Sequence, residues 1–288
     1  MSLATCLPDD LPWTEHQGYL LVDSATRPDW PPRLKSLDPT AHAVLLYDHP
    51  PFYALRDISA QLFPIEQLDT PVMRFYLEQS HDESAVLLFS PLAVHEVAQH
   101  LRKLLTVEIA EGQHVMLRLA DAAVAQALFD GSDQRLFGPL SCVVTADSLS
   151  ATWCCQRPRR PDRPELPTPY RLSPEQNLAL DRVDRRRALL DLDAHLRRFF
   201  PDFQKDLGLV ERWPLLERLE TQACALGLSS PSELLYYANL MAWLDGTTLD
   251  QHPDIARLLQ APSLQPIGER VVLAAERAQR WASQRGQP

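Results

Sequence analysis

The chain has 288 residues, 45% hydrophobic and 23% charged, a mixture that supports a packed core and excludes a disordered or fibrous polymer. Its formal net charge of −10 is the opposite of the basic face that a general nucleic-acid binder carries, and it disfavours docking on anionic lipid. No apolar run approaches the ~18 residues needed to span a bilayer, so neither nucleic acid nor membrane is an expected partner.

The first segment, Met1-Ser-Leu-Ala-Thr-Cys6, has neither the basic start nor the apolar stretch of a secretory signal. Strands are predicted at Tyr19–Val22, Ala43–Tyr47, Ala85–Phe89, Thr106–Ile109, Val115–Leu119, Leu140–Thr145 and Leu149–Cys154. Several are unbroken apolar runs, such as Val86-Leu-Leu-Phe89, as expected of strands covered on both faces. Thr70-Pro71 and Ser90-Pro91 each read as an N-cap hydroxyl followed by proline at the first helical position. Asp121 reads as the cap of a further helix, and a turn is expected at Glu111-Gly112. Strands alternating with helices point to an α/β domain with a mixed sheet over residues 1–156.

Residues 157–169 carry a proline at nearly every third position, which predicts an extended, accessible linker. Residues 170–288 read as an all-α helical domain. Ser173-Pro-Glu-Gln176 and Ser230-Pro-Ser-Glu233 fit capping boxes, a helix near Pro214–Leu226 ends at Gly227, and a last helix runs from about Pro266 to Trp281.

Tests for chemistry give no catalytic, cofactor or metal site. His95 and His100 are five apart, so they lie about 140° apart around a helix, whereas the zinc-peptidase pattern needs a spacing of four. The cysteines, Cys6, Cys142, Cys154, Cys155 and Cys224, are odd in number and scattered, which fits a reducing cytoplasm rather than a disulfide framework. No glycine-rich nucleotide loop or serine-nucleophile elbow occurs. Asp191 and Asp193 read as part of a solvated helix face. Arg118, three residues before Asp121, is placed to tie strand to helix by a charge-assisted hydrogen bond. Phe137-Gly138-Pro139 reads as a packed aromatic with a tight turn. Trp213, Tyr236, Tyr237 and Trp243 have the chemistry of both core residues and interface anchors; the adjacent tyrosines face different ways, so at least one should be less buried.

The run Leu101-Arg-Lys-Leu-Leu105, Gly112, Arg118, Asp121 and Leu136-Phe-Gly-Pro139, with the opening Gly18-Tyr-Leu-Leu-Val-Asp23-Ser-Ala25, resembles the type VI secretion effector adaptors or chaperones (Tap/TEC type). The resemblance spans roughly Gly18 to Cys155, with a looser match in the helical tail. It departs from the family wording at Asp121-Ala122, where Asp-Pro is usual, and at Leu119, where an aromatic is common. It makes Arg118, Asp121, Phe137, Gly138 and Pro139 a family motif. It implies a non-enzymatic cytoplasmic protein that binds a secreted effector or toxin and helps load it onto the spike (VgrG-type) protein; on their own chemistry, Trp213, Tyr236, Tyr237 and Trp243 are the candidate partner contacts. The alternatives are an enzyme whose site is assembled from scattered residues, and a structural subunit of a larger complex.

Overall fold

A computed structural model describes residues 7–109, 112–160, 164–245 and 247–285. Cys6, Glu111 of the expected turn and Pro161–Arg163 of the expected linker lie outside the described residues. An α/β N-terminal region is followed by a helical C-terminal region. The chain divides into two compact units, residues up to Val183 and residues from Asp184 on.

The first unit holds strands β1 (Gln17–Val22), β2 (Val44–Leu45), β3 (Gln61–Ile65), β4 (Ala85–Ser90), β5 (Thr106–Glu108), β6 (His114–Met116), β7 (Cys142–Asp147), β8 (Thr152–Gln156) and β9 (Tyr170–Arg171). Its helices are α1 (Trp30–Leu37), α2 (Pro71–Gln79), α3 (Val94–Lys103), α4 (Ala122–Phe129) and the start of α5 (Pro174–Phe199). Six strands form one sheet in the order β2-β3-β1-β4-β7-β8, with every neighbouring pair antiparallel. The other three form a small sheet, β6-β5-β9, in which β5 and β9 run parallel.

The apolar runs follow from burial on both faces. Alternate residues of one strand enter different cores, as the period-2 pleat requires. Tyr19, Leu21, Val86, Leu88 and Val143 pack with α3 and α4 residues such as Val97, Leu101 and Leu128. Leu20, Val22, Leu87, Phe89 and Val144 pack with Trp30 and Leu34 of α1 and Met73 and Tyr76 of α2. An antiparallel sheet usually leaves one face wet; here neither is, so no polar alternation shows in the sequence.

Several sequence expectations move. β3 was not expected, because Pro64 interrupts it. The strand tolerates that proline because β2 pairs only with Gln61 and Leu62. β8 begins at Thr152 rather than Leu149. Asp147 Oδ1 accepts from the Leu149 amide at 3.0 Å and Ala151 turns through φ +52°, so Ser148–Ala151 form the hairpin turn. β6 ends at Met116, which leaves Arg118 just beyond the strand. Thr70 caps α2 as expected, accepting from the Met73 amide at 3.3 Å. Ser90 does not start α3. It stays in β4, donates to the Pro139 carbonyl at 3.0 Å, and the helix begins at Val94 with Glu96 accepting from the Ala93 amide.

Leu166 within the proline-dense segment, and Tyr170 and Leu172 just beyond it, join the core of the first unit. Tyr170 pairs with Val107, and the Leu172 amide donates to the Glu108 carbonyl at 2.9 Å.

The second unit comprises the rest of α5 with α6 (Leu209–Ala225), α7 (Pro231–Trp243), α8 (Pro253–Gln260) and α9 (Ile267–Arg285). It has its own core, including Leu189, Leu192, Leu216, Leu219, Leu240 and Val271. Ser230 and Glu233 form the expected capping box, with the Glu233 amide donating to Ser230 Oγ at 3.3 Å and the Ser230 amide to Glu233 Oε2 at 2.8 Å. Gly227, at φ +84°, ends α6 as expected, and the Leu228 amide reaches back to the Ala223 carbonyl at 3.0 Å. One expectation is overturned here. Asp193 does not lie on the solvated face; it is buried and accepts from Arg212 Nε at 2.6 Å and Arg197 Nε at 2.7 Å. Arg212, 1% exposed, also donates to the Phe203 carbonyl at 2.9 Å.

Candidate functional site

Residues expected as a family motif build two structural junctions in the first unit. At the first, a 3-10 turn over Gln134–Phe137 leads into Gly138, whose φ of +48° favours glycine. A Cβ at Gly138 would overlap the ring of His100. That ring is buried on α3, and its Nε2 pairs with the Leu136 carbonyl at 2.7 Å. Phe137 meets Phe129 of α4 edge-on, with ring centroids 5.1 Å apart. Pro139 offers its carbonyl to Ser90. The corner therefore locks α3, α4 and β4 together around a backbone turn that a side chain would break.

The second junction centres on Asp23, at the end of β1. Its carboxylate accepts from the Ala25 amide and Thr26 Oγ1, both at 2.9 Å, and from Arg118 Nε at 3.1 Å. Arg118 also donates to Thr26 Oγ1. Burial pushes the Asp23 carboxyl up, but the bonds from Arg118 and Thr26 outweigh it and hold the group below the ordinary carboxylate range. Arg118 thus reaches Asp23, 95 residues back, and also attracts Asp121, whose backbone amide donates to the Arg118 carbonyl at 2.9 Å. Asp121 caps α4, accepting from the Ala123 and Val124 amides at 3.0 and 3.2 Å.

A groove of about 480 Å³ opens beside the first junction, lined by Asp133, Arg135, Ser173, Glu175, Gln176 and Ala127 among others. Arg135 clasps Asp133 with two bonds, Nε–Oδ1 at 2.9 Å and Nη2–Oδ2 at 2.7 Å. Tyr170 donates its hydroxyl to Asp133 Oδ2 at 2.6 Å, and Gln176 Nε2 donates to Tyr170 at 2.7 Å. Burial raises the Asp133 carboxyl and these partners lower it further than burial lifts it. Sequence reasoning missed this network, because Asp133 and Tyr170 are brought together only by the β5–β9 pairing.

In the second unit, Tyr236 and Tyr237 separate as adjacent helical residues should. Tyr236 is 41% exposed; Tyr237 is 4% exposed, and its hydroxyl donates to Gln222 at 3.2 Å. Tyr236, Asn239 and Trp243 follow one another at helical spacing along α7. Asn239 Oδ1 meets His195 Nε2 of α5 at 2.7 Å, His195 stacks on Phe199 at 4.8 Å, and Trp243 packs edge-on against Phe200 at 4.9 Å. Phe199 itself is 57% exposed. The result is an aromatic face between α5 and α7 with an exposed ring on each. Trp213, on α6, is half-buried against the helical core. Two features escaped the sequence reading: the exposed Phe199, and Tyr53, Leu55 and Ile58, exposed apolar residues on a 3-10 segment without a buried residue. The cue for the latter is an apolar run, Phe52-Tyr-Ala-Leu55, that follows Pro50-Pro51 and matches neither helix nor strand periodicity.

Among the described residues, no group of three or more His, Cys, Asp or Glu is placed to hold a metal ion, and no helix is long and apolar enough to cross a membrane. His95 is exposed, while His100 is committed to the glycine corner.

Comparison with known proteins covers Arg118 and Asp121 of the motif and ends just before Phe137. Residues 18–136 match the family described as "Domain of unknown function (DUF4123)". The chain is also 28% identical over 274 residues to "Accessory protein VasW" of Vibrio cholerae serotype O1, covering 92% of this chain and 88% of that protein. No solved structure matches. The junction of Asp23 with Arg118 lies inside the matched stretch, and the glycine corner begins where it ends; residues 18–136 of the α/β half are thus similar to the DUF4123 family.

Proposed function

We propose that this protein is a non-enzymatic adaptor of type VI secretion, which binds one secreted effector in the cytoplasm and helps load it onto the spike protein. The observation that carries this reading is the similarity to an accessory protein along nearly the whole of both chains, rather than over an isolated module. Two features of the molecule support it. The motif residues serve to hold the fold rigid, which is what a common scaffold needs. The aromatic face of α5 and α7 offers exposed rings beside a half-buried tryptophan, the composition of an interface anchor set. Tyr236, Trp243 and Phe199 are its proposed anchors. Tyr237, bonded to Gln222 of α6, and Trp213, half-buried on α6, belong to the helical core.

The test is genetic and biochemical. Deleting the gene should abolish secretion of a single effector while the spike protein is still released, and the purified protein should form a stable complex with that effector. Secretion of every effector at the undiminished level would overturn the reading.

A further inference from the structure

Cys142 and Cys155 stand on β7 and β8, neighbours in the six-stranded sheet. The register pairs Val144 with Cys155, so Cys142 lies one diagonal step away on the same face. Their Sγ atoms are 2.9 Å apart. A disulfide needs about 2.0 Å, so closing the bond asks for a shift of less than about 1 Å.

The surroundings give the two thiols different characters. Cys142 is fully buried among Trp30, Tyr76, Phe89 and Val144. Cys155 is half-buried on β8, which is the edge strand of the sheet. The Cys142 thiol donating to Cys155 holds the Cys155 thiol below its ordinary range; burial opposes this, and the nearby Arg157 guanidinium, anchored to Asp10 at 2.7 Å, reinforces it. The same contact and burial push Cys142 up. Cys154 faces the other side, where Gln126 Nε2 lies 3.2 Å from its sulfur and burial raises its thiol. The adjacent pair Cys154-Cys155 is therefore not a unit; each belongs to a different face of the strand.

We propose that Cys142 and Cys155 form an oxidation site, a dithiol that hydrogen peroxide converts to an intramolecular disulfide joining β7 to the edge strand β8. The Cys155 thiolate attacks one peroxide oxygen. The O–O bond breaks, the other oxygen leaves as hydroxide and takes up a proton to form water, and Cys155 becomes a sulfenic acid. Cys142 then attacks the Cys155 sulfur; its thiol proton goes to the departing hydroxide, which leaves as a second water, and the S–S bond forms. Two thiols lose two electrons and one hydrogen peroxide gains them. The bond pins β8 immediately before the chain leaves the sheet at Arg157, and a cross-link over so short a loop restrains mainly the unfolded chain.

The experiment treats the folded full-length chain, and a Cys6→Ser/Cys154→Ser/Cys224→Ser variant, with hydrogen peroxide, followed by alkylation, intact mass and non-reducing peptide mapping. The expected result is a monomer lighter by two hydrogens, a linked Cys142–Cys155 peptide pair, reversal by dithiothreitol, and a thermal midpoint several degrees higher when oxidised. Adding Cys142→Ser should leave a dimedone-reactive sulfenic acid on Cys155. Because the unsubstituted chain is mapped as well, a variant that fails to fold does not decide the outcome. The proposal is overturned if both thiols stay alkylatable in the folded protein while the urea-unfolded chain oxidises, or if dimedone labels Cys142 in preference to Cys155.

Discussion

The Phe137–Gly138–Pro139 corner and the α5–α7 aromatic face use the same kinds of residue to opposite ends. At the corner the aromatic ring is buried, the glycine sits against a histidine ring, and carbonyls are taken up by neighbouring elements. On the helical face, Phe199 and Tyr236 stand out from a well-packed core. The residues expected as family wording at the corner lie where substitution should damage the fold. The exposed rings proposed as partner contacts, Phe199 and Tyr236, lie where substitution should leave the fold alone.

The largest effect expected belongs to neither region but to the ion pair beneath the helical face. Asp193→Ala strands the Arg212 charge in the core and should destabilise the protein by about 3–5 kcal/mol in urea unfolding. Asp193→Leu with Arg212→Met should recover most of that loss, because the buried charge and its partner disappear together. Next comes the corner. Gly138→Ala meets both a positive φ and the His100 ring, and should cost about 3 kcal/mol or prevent folding. Adding His100→Ala relieves only the steric part, so a double-mutant cycle should show partial rescue. Full rescue would mean that the backbone conformation at Gly138 carries no strain of its own.

The paired tyrosines sharpen the contrast within one helix turn. Tyr237→Ala should lower stability by roughly 3 kcal/mol through a cavity. Tyr236→Ala should change stability by less than about 0.5 kcal/mol while weakening effector binding by about 2 kcal/mol. Equal effector affinity for the wild type and Tyr236→Ala, measured calorimetrically, would remove the α7 face from the interface.

Arg118→Met tests the Asp23 junction by pH. Asp23 is held below its unfolded value, so its contribution is present above the unfolded carboxylate pKa of about 3.9 and is lost as pH falls through the lower folded value. The variant should be less stable than wild type by about 1–2 kcal/mol at neutral pH, a figure moderated by the half-exposed arginine, and the gap should narrow below about pH 4. A gap independent of pH would assign the loss to packing alone.

The smallest effect is expected at the proline-dense segment, which we propose as a linker within residues 157–169. Trypsin should cut first near Arg157–Arg160, yet the pieces should stay together, because Leu166, Tyr170 and Leu172 are anchored in the first core and β9 pairs with β5. Separation of the fragments on size-exclusion chromatography would show that this anchoring is weak.

Much of this fold is legible in the sequence because its signals are local. The Thr70, Asp121, Ser173 and Ser230 caps work through amides two or three residues away, so a short window contains all their physics. The unbroken apolar runs of β1 and β4 announce burial on both faces, and the helical character of the second half follows from its periodicity. Tertiary structure decided the rest, and the reason is distance along the chain. Asp23 meets Arg118 across 95 residues, Asp133 meets Tyr170 across 37, and Asp193 meets Arg212 across 19. The spacing of Arg118 and Asp121 gives no sign of Asp23, and Asp193 has the pattern of a surface residue although it is buried against Arg212. Cys142 and Cys155 show the limit most plainly: 13 residues apart, they meet because a hairpin turn sets the β7–β8 register, and a one-residue slip would turn Cys155 to the opposite face.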